Sequence, residues 1–153
     1  MVVFVPVRPN RIFDAGMKTR YIFLLSLCGL VLGFMRVFFL PARFEALVSL
    51  PMFFGWAWVF ARNMQRRYFL YGMSTAFLAL FWSFLVQLLL ADYLMIYNTA
   101  DATQYRRLLA RLGGSVHEVI AAFALIDMLF SALVAGGLAH AVGRIVRRLG
   151  GER

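Results

Sequence analysis

Few residues in this chain are able to do chemistry, and the two most telling lie inside apolar runs. Asp127 falls within the run 119–142, and Arg36 sits near the end of the run 21–40. An ionisable group inside a bilayer costs about 2.5–3.5 kcal/mol on insertion scales, so it faces protein or water and takes a partner. At a helical rise of about 1.5 Å per residue, Asp127 stands about 12 Å inward from the start of its run. Arg36 stands about 6 Å inward from the end of its own. Both enter from the same side, so an Arg36–Asp127 ion pair is expected, with Glu118 as second choice. Two plainer roles compete. Arg36 could snorkel to the headgroups, and Asp127 could be a protonated carboxyl bonded to a neighbouring helix. The sharper role for Asp127 is a proton- or ion-coupling carboxylate.

The remaining reactive groups support little. His117 and His140 are separated by about 34 Å along a helix, so they cannot share a haem within one chain. Cys28 is the single cysteine, which excludes two-cysteine redox chemistry. No His, Cys and acid cluster has metal-ligand spacing, and no glycine-rich phosphate loop accompanies the one lysine, Lys18. No cofactor and no metal are expected.

Asn98-Thr99-Ala100-Asp101, preceded by Ala91-Asp92-Tyr93, resembles the Asn-x-Ala-Asp element and upstream acid of the lipoprotein signal peptidases, which are four-span proteins of similar size. The resemblance implies a catalytic aspartyl pair, Asp92 and Asp101. It covers about a dozen residues. The family's preceding Asn-x-x-Asp-Arg motif has no counterpart here, and its long extramembrane cradle is missing. An ordinary Asx turn and helix cap explains the same residues.

The elements that must position these groups follow from composition. The chain has 153 residues, 63% hydrophobic and 15% charged, with a formal net charge of +9. Soluble domains are about 45–50% apolar and about 25% charged, so this chain reads as an integral membrane protein. The basic residues cluster beside apolar runs, the mark of membrane topology rather than of nucleic-acid binding. Four segments qualify as helical spans, at about 21–40, 46–61, 68–91 and 119–142. The second is short and carries Pro51. The expected fold is all-α, a single-domain four-helix membrane bundle over 1–153.

Charges in the connections orient it. Eleven basic residues fall in the N-terminal segment, the 62–67 turn and the C-terminal tail. Four, Arg43, Arg106, Arg107 and Arg111, fall on the other side, beside Glu45, Asp92, Asp101 and Glu118. Both termini are therefore expected inside. In the long third connection, Tyr105, Leu108, Leu109 and Leu112 recur at helical spacing opposite the three arginines, until Gly113-Gly114 ends the pattern. The spacing predicts a short amphipathic helix, lying in the outer headgroup layer or on a partner.

Helix packing in lipid relies on small residues. Gly29 and Gly33 form a Gly-x-x-x-Gly stripe with Arg36 on nearly the same face. Gly72, Ala76, Ala79, Ser83 and Gln87 line one side of the third span, and Gly136 lies among many small residues in the fourth. Ser83 and Gln87 are thus expected as interior polar groups. The apolar tail 1–9, broken by Pro6 and Pro9, is too short to span and reads as lying on the bilayer or on another chain.

With no catalytic constellation, the leading expectation is an accessory or assembly subunit of a larger energy-transducing or transport complex. Its partners would be the lipid bilayer and other membrane subunits, or further copies of itself. Its place would be a bacterial inner membrane, with the mitochondrial inner membrane as alternative. The second expectation is a small oligomeric transporter using Arg36, Gln87 and Asp127. A lipid-active enzyme using Asp92 and Asp101 is third.

Overall fold

The computed structural model describes residues 11–41, 44–64 and 67–150, with side chains from Thr19 onward except those of Leu112 and Gly150. The tail 1–9, Arg43, Arg66 and Arg153 lie outside these residues. Seven helices make up the described chain, with no strand among the described residues: α1 (Arg11–Ser26), α2 (Cys28–Phe38), α3 (Glu45–Asn63), α4 (Tyr68–Leu89), α5 (Ala91–Tyr97), α6 (Thr99–Leu112) and α7 (Val116–Gly150).

Three stretches are long and apolar enough to cross a membrane: Thr19–Phe38, Tyr68–Leu89 and Val116–Leu149. Only 28%, 39% and 33% of their most apolar windows are buried within the chain. The rest of each helix presents side chains such as Phe23, Val31, Phe34, Phe77, Ile126 and Phe130 outward. Water would not tolerate so much contiguous apolar surface on a monomer, so the chain is a membrane protein. The expected second span differs from the other three. It does form a helix, α3, but Glu45 and Arg62 bracket it and Pro51 lies inside it. The uncharged stretch 46–61 rises about 24 Å, against a hydrocarbon core of about 30 Å.

The first long helix is broken at Leu27, which the apolar pattern did not foretell. Leu27 N–H is shared between the carbonyls of Phe23 and Leu24, both at 3.3 Å, and Leu30 N–H bonds Leu27 O at 3.0 Å, one residue tighter than an α-turn. The cause lies next door. Ser26 Oγ donates to Phe23 O at 2.7 Å and accepts from Trp82 Nε1 at 3.3 Å, and such back-bonding serines bend helices.

Helix α4 is the hub, packing against α1, α2, α3 and α7, while α3 also lies along α7. Two cores result. Phe53, Trp56, Phe60 and Tyr68 fill one with Ala76, Ala79, Ala135 and Ala139. Val37, Val86, Leu94, Tyr105 and Ile120 fill the other, where α2, α4 and α7 meet α5 and α6. Helix α6 turns part of its apolar side inward. Tyr105, Leu108 and Leu109 pack onto the second core, so α6 closes one end of the bundle.

Candidate functional site

The site is built around Arg36, in the last turn of α2. Its side chain is only 14% exposed, and Nη1 lies 2.6 Å from Glu45 Oε2. Asp127 Oδ2 is farther, at 3.7 Å, and its side chain is 39% exposed. Glu45 thus holds the arginine more closely than the Asp127 expected from the sequence, because the tight link after α2 returns the first turn of α3 beside Arg36. Glu118, the expected second choice, is engaged elsewhere. Its carboxylate accepts Ser115 N–H at 2.9 Å while its own N–H bonds Ser115 Oγ at 3.3 Å. This is a capping box that starts α7. Nor does Arg36 snorkel outward: its Nε is buried, without a hydrogen-bond partner.

Helix α6 supplies the other wall. Asp101 and the hydroxyl of Tyr105 both act electrostatically on Arg36. Burial pushes that hydroxyl above its ordinary pKa, with Arg36 drawing it partly back, so Tyr105 stays neutral at physiological pH. Asn98 ties the backbone in. Its Nδ2 donates to Arg36 O at 2.7 Å and to Leu40 O at 3.3 Å, two carbonyls that the end of α2 leaves without helical donors. Its Oδ1 accepts Asp101 N–H at 3.3 Å, capping α6.

One guanidinium therefore faces three carboxylates, Glu45, Asp101 and Asp127, from three helices. Among the described residues no group of His, Cys, Asp and Glu is placed to hold a metal ion. His117 and His140 are both exposed on α7.

The other expected residues fall into three environments. Ser83 and Gln87 are buried on α4 and satisfy each other, Gln87 Nε2 lying 3.2 Å from Ser83 Oγ. Asp92 is exposed on α5, whereas Asp101 is buried beneath α6, so the aspartyl pair implied by the peptidase resemblance is split between surface and interior. Gly29, Gly33, Gly72 and Gly136 lie at the closest helix–helix approaches. A Cβ on Gly29 would strike the Ala79 backbone, and one on Gly33 would stand 2.8 Å from Ser83 O. One on Gly72 would stand 2.7 Å from Ala135 O, and one on Gly136 3.0 Å from Phe69 O.

Sequence reasoning assigned Glu45 to a loop and missed Asn98 and Tyr105 as neighbours of Arg36. The short Pro41–Glu45 link was the available signal for Glu45, since a tight hairpin must bring its two flanks together. Comparison with protein-family models, curated proteins and solved structures gives no match to this chain.

Proposed function

We propose that the chain is a four-helix, non-catalytic subunit of a larger inner-membrane assembly, with both termini inside. The observation that supports this reading is that, Arg36 Nε apart, the interior polar side chains of the spans pair with one another. Arg36 binds Glu45, Gln87 binds Ser83, Trp82 binds Ser26, and the buried Tyr68 hydroxyl accepts from the exposed Arg147 at 3.0 Å. A groove of about 560 Å³ between α1, α4 and α7 is lined by Ile22, Met73, Phe77, Leu129 and Leu133 among others. It suits hydrocarbon, not a polar solute. The glycine faces of α2, α4 and α7 are engaged within the chain, so contacts to other subunits fall on the remaining apolar faces.

Purification in mild detergent, with partners identified by mass spectrometry, tests this. A reproducible, stoichiometric set of unrelated membrane subunits is expected. A clean homo-oligomer favours the second reading, a small transporter in which the half-exposed Asp127 exchanges a proton or cation beside Arg36.

The four-span topology has its own test. With the N-terminus inside, a crossing α3 puts Asn63 inside and Gln104 outside, both exposed, whereas an α3 that stays outside exchanges them. On a Cys28→Ser background, Gln104→Cys is expected to react with an impermeant maleimide in intact cells. Asn63→Cys should react only after permeabilisation. The reverse pattern overturns the proposed four-span topology with both termini inside.

A further inference from the structure

We propose that the outward side of α6 and the aromatic rim of α5 form a binding surface for the phosphate headgroups of anionic phospholipid. Arg106, Arg107 and Arg111 are all exposed on α6. Among the described residues no carboxylate pairs with them. The acids nearest in sequence are occupied, Asp101 being buried behind the helix and Glu118 closing its capping box. Because Tyr105, Leu108 and Leu109 are packed inward on Val37, Val86 and Ile120, α6 cannot roll over. Its arginine side is held outward by the core itself.

The neighbouring residues indicate the depth. Helix α6 packs where α2 and α4 end and α7 begins, which is the boundary between the apolar runs and the polar connection. Beside it Phe38 contacts Phe39, Tyr93 and Tyr97 with ring centroids 6.1, 6.4 and 5.6 Å apart, and Tyr93 stacks on Tyr97 at 6.2 Å. Phe39, Tyr93 and Tyr97 are exposed. Aromatic rings concentrate at headgroup level, and guanidinium groups bind phosphate through paired N–H donors.

A protein partner fits less well. The exposed side of α6 offers Thr99, Ala100, Thr103, Gln104 and Ala110 around the arginines. Among its described side chains this side of α6 carries no large apolar residue, the exposed rings lying beside it on α5 and at the end of α2.

Thermal unfolding of the full chain in neutral detergent, titrated with phosphatidylglycerol or phosphatidylcholine, tests the proposal. Phosphatidylglycerol should raise the midpoint in a saturable, salt-sensitive way, and phosphatidylcholine should not. In R106Q/R107Q/R111Q the half-saturating phosphatidylglycerol concentration should rise on the order of a hundredfold, each arginine near a charged surface contributing about fivefold. R107Q alone should give about fivefold, which keeps the test readable if the triple variant folds poorly. R144Q/R148Q, at the opposite end of α7, should leave the response unchanged. An unchanged response in both R107Q and the triple variant overturns the proposal. So does equal stabilisation by phosphatidylcholine or by inorganic phosphate. An unchanged lipid response with loss of a co-purifying acidic subunit assigns the surface to a protein instead, and likewise overturns it.

Discussion

Arg36→Leu is expected to destabilise the protein by about 3–5 kcal/mol, the range seen when one partner of a buried ion pair is removed. The cost comes from what remains: Glu45, left without the guanidinium 2.6 Å from its carboxylate. Glu45→Leu should cost a comparable amount, because it strands a guanidinium whose closest contact is the 2.6 Å one to Glu45. The double variant Arg36→Leu/Glu45→Leu should recover much of either loss, since an apolar pair is often tolerated where a buried pair stood. Asp127→Leu is expected to cost clearly less than Glu45→Leu, its 3.7 Å separation weakening the attraction. Thermal unfolding in detergent across the full cycle measures these terms. Additive losses for Arg36 and Glu45 would show that the two do not act together. A larger coupling of Arg36 to Asp127 than to Glu45 would mean that the geometry ranks the partners wrongly.

The second large effect is steric. Gly29→Leu and Gly33→Leu should each prevent α2 from seating on α4, whereas Val31→Leu should pass unnoticed. Any side chain at Gly29 meets the Ala79 backbone, which cannot swing aside as a side chain would, and at Gly33 it meets both Ser83 O and Val86 Cβ at 2.8 Å. Val31 is 61% exposed on another side of the same helix. Overpacking costs about 1–3 kcal/mol where neighbours can adjust, and more where they cannot. Gly29→Leu is therefore expected to be the worse of the two, with Gly55→Leu, which faces open space, as a second neutral control. The yield of monodisperse protein after size-exclusion chromatography is the readout. Equal yields for Gly29→Leu and Val31→Leu would place the glycine stripe against lipid.

Much of this architecture was legible because bilayer crossing leaves a coarse signature. The runs ending in Phe38 and Leu89 needed only length and apolarity to be recognised, and the small-residue stripes follow from helical period alone. What stayed hidden depended on three-dimensional return of the chain. Glu45 carries no periodic signal, and only the closed hairpin places it on Arg36. The break at Leu27 depends on Trp82, a distant residue whose indole meets Ser26. Helix α6 was visible as amphipathic, but amphipathicity does not say whether its apolar side meets lipid or its own bundle. The core at Val37 and Ile120 decides that. α3 shows the opposite limit. Its helix was evident, while Pro51 and its charged ends make span length alone a poor guide to whether it crosses.

The choice of Glu45 over Asp127 as the near partner has a consequence for how the chain enters the membrane. Arg36 is an expensive residue to deliver into hydrocarbon, and it is made long before α7 exists. Its closest counter-charge, however, arrives with the very next helix. In a four-span arrangement the first hairpin would carry Arg36 into the membrane with its nearest counter-charge beside it, without waiting for the C-terminal helix to dock. Asp127 then joins a centre whose main charge has been neutralised, and Asn98 closes the free carbonyls of Arg36 and Leu40 when α6 folds over them. A nascent chain halted after α3 would then already hold Arg36 beside Glu45, its closest carboxylate.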